Sequence, residues 1–154
     1  NTESHVMGLS LLDGNQHVDN FTSIDHRKAN CFSNELYKGI YNDSASGAFR
    51  GRIHVFPDAQ KTNAYQSNRN ILLSDDASID TKPQLEIYAD DVKCSHGATT
   101  GRIDKDALFY LKARGIPELE ANKLMIQAFA GEVSKEISID AVREHVENLV
   151  AARF

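Results

Sequence analysis

Cys94 and His96 are the residues of this chain whose types and spacing best suit metal chemistry. Only Ser95 separates them, in a stretch with the character of a strand. Residues two apart on a strand point to the same side, so the thiol and the imidazole are expected to face one surface. Thiolate and imidazole are ligands that transition metals and metal clusters accept. Two ligands do not complete a site, so a second polypeptide would have to supply further donors. The alternative is a buried cysteine and a hydrogen-bonded histidine at a corner of the fold, with no metal role.

The rest of the sequence does not point to catalysis. The segment Ser44-Ala45-Ser46-Gly47 lacks the lysine and the following helix of a phosphate-binding loop, and no Gly-x-Ser-x-Gly elbow is present. We therefore expect a non-catalytic protein, with any ATP hydrolysed by a partner. Cys31 is predicted to be a small apolar core residue. His26 and His54 could stack along a ladder, although core or solvated positions are the favoured prediction for both.

Residues 1–103 are predicted to form a β-solenoid. Short runs of alternating apolar and polar residues are separated there by Asn, Asp, Ser and Gly, which is typical of strands with one buried face. Three similar segments begin at Lys28, Lys61 and Lys93, and a repeat of this kind indicates stacked coils. We expect these lysines at equivalent positions of a parallel β-helix. An antiparallel sandwich is the alternative.

Residues 104–154 are predicted to be a helical domain. Asp104 is placed to cap a first helix, Gly115 to end it, and Pro117 to open a second one. A third helix is expected from Ser138 or Asp140. Apolar side chains surround the first helix more completely than one core face requires, which indicates either packing between helices or a docking surface.

The stretch from Lys93 to Asp104, followed by the segment from Leu108 to Pro117, resembles the SufB/SufD family of iron–sulphur cluster assembly proteins. The Cys-Ser-His-Gly order is similar to the SufD branch, in its C-terminal portion. The resemblance extends back to Leu85 and forward to about Glu132.

The resemblance implies a right-handed parallel β-helix followed by a small helical segment. It further implies a scaffold subunit of a SufBCD-type complex, partnered by a SufC-type ABC ATPase and by a SufB-type paralogue or a second copy of itself as a homodimer. His96 and Cys94 are the implied cluster-assembly residues at a subunit interface, where an iron–sulphur cluster would be held transiently and shared. The helical segment is implied to dock the ATPase, and its candidate contact residues are Leu108, Phe109, Tyr110, Arg114, Met125 and Phe129.

Size and charge agree with a cytoplasmic domain. The 154 residues carry a net charge of −5 without a basic stripe, so a nucleic acid is an unexpected partner. No apolar run approaches the ~18 residues of a membrane helix, so no membrane association is expected. Two cysteines fit a reducing cytosol. The start at Asn1 suggests a fragment of a longer protein. The alternative function is a structural β-solenoid interaction module with no metal role.

Overall fold

Seven strands are followed by three helices in the computed structural model, which describes residues 1–153. The strands are β1 (Glu3–Leu12), β2 (His17–His26), β3 (Phe32–Tyr41), β4 (Ser46–Val55), β5 (Asn63–Leu72), β6 (Ser78–Ile87) and β7 (Lys93–Gly101). The helices are α1 (Lys105–Ala113), α2 (Glu118–Ser134) and α3 (Asp140–Arg153). The order of strands and helices agrees with the sequence-based prediction, while the division into domains at residues 103 and 104 stays a prediction.

Consecutive strands alternate between two parallel sheets. Sheet A has the order β1-β3-β5-β7, and sheet B has the order β2-β4-β6. Every pairing is parallel and in register along the whole strand. Each coil thus contributes one strand to each sheet, which is the architecture of a β-solenoid. The parallel β-helix prediction is confirmed, and the antiparallel alternative is wrong.

The three lysines that suggested the repeat do not stack. Lys93 lies opposite Asn63, which in turn lies opposite Phe32 in sheet A. Lys61 is two residues before Asn63, so it does not lie opposite Lys93. Lys61 instead matches Asn30, and both have a left-handed backbone, with φ of 59° and 60°. The prediction of stacked lysines is wrong because corner side chains are solvated and contribute little to register, which the buried faces set.

Small apolar clusters fill the space between the sheets. Ile53 and Val55 of sheet B pack with Ala64 of sheet A in one cluster, and Tyr41 packs with Leu12 in another. Because the side chains alternate along each strand, one residue in two enters this interior. Full burial of a large apolar side chain stabilises the fold by about 1.5–3 kcal/mol.

Helix α2 covers part of the outer face of sheet A, so β3 is buried on both of its sides around Lys38 and Ile40. Ile40 on this outer face packs with Ile126 and Ala130 of α2 and with Val150 of α3. Its neighbour Lys38 is also buried beneath the helix. A third apolar cluster outside the solenoid therefore attaches the helices to the coils.

The predicted helix ends are close to those observed. The Asp104 side chain accepts hydrogen bonds from the backbone N–H groups of Asp106 and Ala107, at 2.8 and 3.2 Å. Gly115 follows α1 with a φ of 87°, a conformation that favours glycine. Pro117 is the residue before α2, one position earlier than its predicted place in the first turn. Within residues 1–153, no helix is both long and apolar enough to cross a membrane.

Candidate functional site

Strand β7 ends sheet A and carries the predicted site residues. It pairs with β5 along one edge, and no strand of residues 1–153 pairs with its other edge. Cys94 lies opposite Ala64, and His96 lies opposite Gln66, both of which are buried between the sheets. Cys94 and His96 therefore share the side of β7 that continues the solenoid interior. Since β7 is the last strand, this side lies at the open end of the solenoid.

The thiol of Cys94 belongs partly to the core. Cys94 is half-buried and packs against the cluster that contains Ile53, Val55 and Ala64. This burial raises the pKa of the Cys94 thiol, and a hydrogen bond with the backbone of Ala64 opposes the shift. The neutral thiol is consequently favoured at neutral pH, and binding a metal would require its deprotonation.

His96, in contrast, is exposed to solvent. A neutral imidazole at the surface has a lone pair available for a metal without loss of core packing. The structure therefore separates the two candidates: His96 is accessible from outside, whereas Cys94 is only partly so.

The donors of β7 can form only part of a cluster site. Thiol sulphur and imidazole nitrogen suit iron. Across residues 1–153, however, no group of three or more His, Cys, Asp or Glu side chains is arranged to hold a metal ion. An iron–sulphur cluster bound as a substrate would therefore need further ligands besides Cys94 and His96.

The remaining histidines and Cys31 lie elsewhere. His26 is buried, its Nε2 lies 2.8 Å from the hydroxyl oxygen of Ser33, and burial lowers its pKa. His54 stacks on Phe56 outside sheet B, with ring centroids 4.0 Å apart. These two histidines therefore do not form a ladder. Cys31 is half-buried and lies in none of the described core clusters, which differs from the core position predicted for it.

The six candidate docking residues divide into two groups. On α1, Phe109 and Tyr110 are 72% and 57% exposed, and the Arg114 guanidinium lies 4.9 Å from the Tyr110 ring centroid. Leu108 and Met125 are half-buried. Phe129 of α2 is half-buried as well, and its side chain packs against the apolar cluster outside sheet A.

Two buried polar groupings were not anticipated from the sequence. Lys38 lies between sheet A and α2, and Glu35 forms a hydrogen bond with Gln66 inside the solenoid. Both lie on β3, where a charged residue on an alternating strand would ordinarily be taken as solvated. Only the register and the position of α2 reveal that they are buried.

Comparison with known proteins assigns this chain to a family. Residues 1–129 match the family described as "SUF system FeS cluster assembly, SufBD core domain". The chain is 42% identical over its whole length to the iron–sulphur cluster assembly protein SufD of Escherichia coli and covers 36% of that protein. It is 40% identical over 99% of its length to a SufBD family protein of Synechocystis, of which it covers 34%. It is 39% identical over 75% of its length to SufD of Bacillus subtilis, of which it covers 26%.

The parallel β-solenoid, including strand β7 with its Cys-x-His pair, thus lies within the region that matches a SufBD core domain. The chain belongs to the SufBD family of the SUF iron–sulphur cluster assembly system. It spans about a third of the length of the first two relatives, 36% and 34%.

Proposed function

We propose that this chain is the core of a SufD-type scaffold subunit in a SufBCD-type assembly complex. The exposed position of His96 at the open end of the solenoid carries the proposal. An iron–sulphur cluster is the substrate that the complex builds and passes on, and His96 is the group of this chain that reaches it from outside.

A partner subunit completes the site in this proposal. The incomplete donor set of residues 1–153 and the unpaired edge of β7 both support a second polypeptide at this end. The partner is a SufB-type paralogue or a second copy of this chain, and it supplies the ligands that Cys94 and His96 lack. Unpaired strand edges favour pairing with another chain, which gives the interface a physical basis.

The helices provide the second interface, to a SufC-type ATPase. Phe109 and Tyr110 on α1 and Leu119 on α2 expose large apolar side chains, at 72%, 57% and 66%. Aromatic side chains of this kind are frequent at the centres of protein interfaces. The partner hydrolyses ATP, and this chain acts as a non-catalytic scaffold. Its two free cysteines suit a reducing cytoplasm.

Anaerobic reconstitution with iron and sulphide tests the role of His96. The complex carrying His96→Ala, assembled with a SufB-type partner and a SufC-type ATPase, should form markedly less cluster than the wild-type complex, as measured by absorbance and iron content. His145→Ala, which alters an exposed histidine on α3, is the matched control and should form cluster normally. Normal cluster formation by the His96→Ala complex would contradict the proposal.

A structural module without a metal role is the second candidate. The packing of Cys94 against the core and the raised pKa of its thiol favour this alternative. It predicts that His96→Ala and His145→Ala complexes behave alike, while substitution of Cys94 lowers stability. The same reconstitution therefore distinguishes the two candidates.

A further inference from the structure

A row of three polar side chains crosses the interior of sheet A and ends at His96. Glu35 on β3 lies opposite Gln66 on β5, and Gln66 lies opposite His96 on β7. Neighbouring strands lie about 4.8 Å apart, and residues in register point to the same face. The three side chains are therefore consecutive members of one row. Glu35 and Gln66 are buried, and His96 is at the exposed end.

Glu35 sets the orientation of the Gln66 amide. The Nε2 of Gln66 donates a hydrogen bond of 2.6 Å to Oε2 of Glu35. This bond directs the amide nitrogen back toward β3. The amide oxygen is then the atom of the carboxamide that remains available to accept a hydrogen bond from another neighbour.

That oxygen has no partner, although it is buried. Gln66 is 3% exposed, and its Oε1 forms no hydrogen bond within residues 1–153. Leaving a buried acceptor unpaired is unfavourable, so such a group normally has a partner. In the row, the next side chain is the imidazole of His96, which has an N–H to donate.

The opposite sheet leaves space for this arrangement. A Cβ added at Gly51 on β4 would lie 2.3 Å from Nε2 of Gln66. Any larger residue at this position would displace the amide. Glycine at position 51 thus allows Gln66 to lie extended between the sheets.

We propose that Gln66, oriented by Glu35, is a positioning residue for His96. For this, the exposed ring of His96 turns toward the solenoid interior, where the Oε1 of Gln66, unpaired in this structure, accepts a hydrogen bond from one ring nitrogen. The proton then stays on that nitrogen, and the other nitrogen presents its lone pair outward. Histidines that bind metals commonly have such a partner, which fixes the tautomer and the ring orientation. This inference rests on the proposed role of His96, but it concerns the ring itself and not the yield of clusters.

The tautomer of His96 tests the inference directly. In the full chain labelled with ¹⁵N-histidine and studied in mildly alkaline buffer, nuclear magnetic resonance should show a single His96 tautomer. Gln66→Met keeps the length of the side chain but has no acceptor of this kind, and it should shift both ring nitrogen resonances toward a mixture of tautomers.

Asn70→Leu is the matched control. Asn70 lies on the same strand and face as Gln66, is also 3% exposed, and also has an unpaired side-chain oxygen, but it lies opposite Thr100. This variant should leave the His96 resonances unchanged. Identical His96 resonances in the wild type and in Gln66→Met would overturn the proposal.

The wild-type chain provides a second measurement that does not depend on the folding of a variant. Its His96 ring N–H should be protected from exchange and show a nuclear Overhauser effect to the Gln66 side chain. A mixture of tautomers, or the absence of that effect, would overturn the proposal. Cluster formation by the His96→Ala complex would bear on the proposed function only, so the two failures are distinguishable.

Discussion

The Lys38 ammonium and the Glu132 carboxylate form an ion pair of 2.9 Å that joins strand β3 to helix α2. The Lys38 side chain is fully buried, its Nζ also donates to the Phe129 carbonyl at 2.8 Å, and it lies 4.0 Å from the centroid of the Phe129 ring. Burial lowers the pKa of Lys38, and the hydrogen bond and charge of Glu132 oppose this shift. Together these contacts hold a lysine between the solenoid and the helices.

Removal of the Glu132 carboxylate should loosen α2. Glu132→Ala leaves a buried ammonium with the Phe129 carbonyl and ring as its remaining partners. Because a hydrogen bond to a charged group is worth about 1.5–3 kcal/mol and Glu132 is half exposed, we expect a loss near the lower end of that range. Denaturant unfolding measures this loss of stability.

Glu136→Ala is the control, because Glu136 is exposed on the turn after α2, and it should change stability by less than about 0.5 kcal/mol. Equal effects of the two substitutions would contradict the importance of the pair.

Stability should fall as the pH drops below about 6.5, because His26 is buried. Its pKa is lower in the folded chain than the ordinary value of 6.5, so the unfolded chain binds the proton more readily. The stability from neutral His26 is fully present above pH 6.5 and is lost as the pH falls toward the folded pKa. His26→Gln cannot titrate and should flatten this part of the profile, measured by unfolding at a series of pH values. His145→Gln alters an exposed histidine and should retain the wild-type slope; a flattened profile there would contradict the assignment.

Gly39 should not tolerate a side chain. A Cβ at this position would lie 2.4 Å from the Tyr41 ring and 2.7 Å from the side-chain oxygen of Asn70. Because the interior between the sheets is closely packed, Gly39→Ala should destabilise the fold by about 1–3 kcal/mol. At Gly97 on β7 an added Cβ has no neighbour within 4 Å, so Gly97→Ala is the control and should unfold near the wild-type midpoint. Thermal or denaturant unfolding compares the two. A neutral Gly39→Ala would show that the ring of Tyr41 has room to move.

The exposed aromatic face of α1 should matter for binding and not for folding. Phe109 is 72% exposed, so Phe109→Asp should change stability by less than about 0.5 kcal/mol. If Phe109 lies centrally in the proposed interface, its loss should weaken binding of a SufC-type ATPase by about tenfold or more. Titration calorimetry measures the affinity, and circular dichroism confirms the fold. Leu149→Asp on α3 is the control, because Leu149 is an exposed apolar residue away from α1. Unchanged affinity in Phe109→Asp would place the ATPase elsewhere.

Local patterns in the sequence were sufficient to predict the strands and helices and the shared orientation of Cys94 and His96 on β7. Alternation along the strands, the Asp104 cap and Gly115 after α1 depend on neighbouring residues, whose physical preferences act over a few positions. The Cys94-Ser95-His96 spacing likewise places two side chains on one side of β7 without knowledge of any other strand.

Only the tertiary structure decided which residues of successive coils lie opposite one another. The stacked lysines were predicted wrongly, because the corner residues match loosely and register depends on packing between coils that are distant in sequence. The same register brings Glu35, Gln66 and His96 into one row, which no local spacing indicates. The position of α2 buries Lys38, a residue that its strand alone would leave in solvent. Burial and pairing are properties of surfaces brought together by folding, and a pattern with a period of two residues does not specify which surfaces those are.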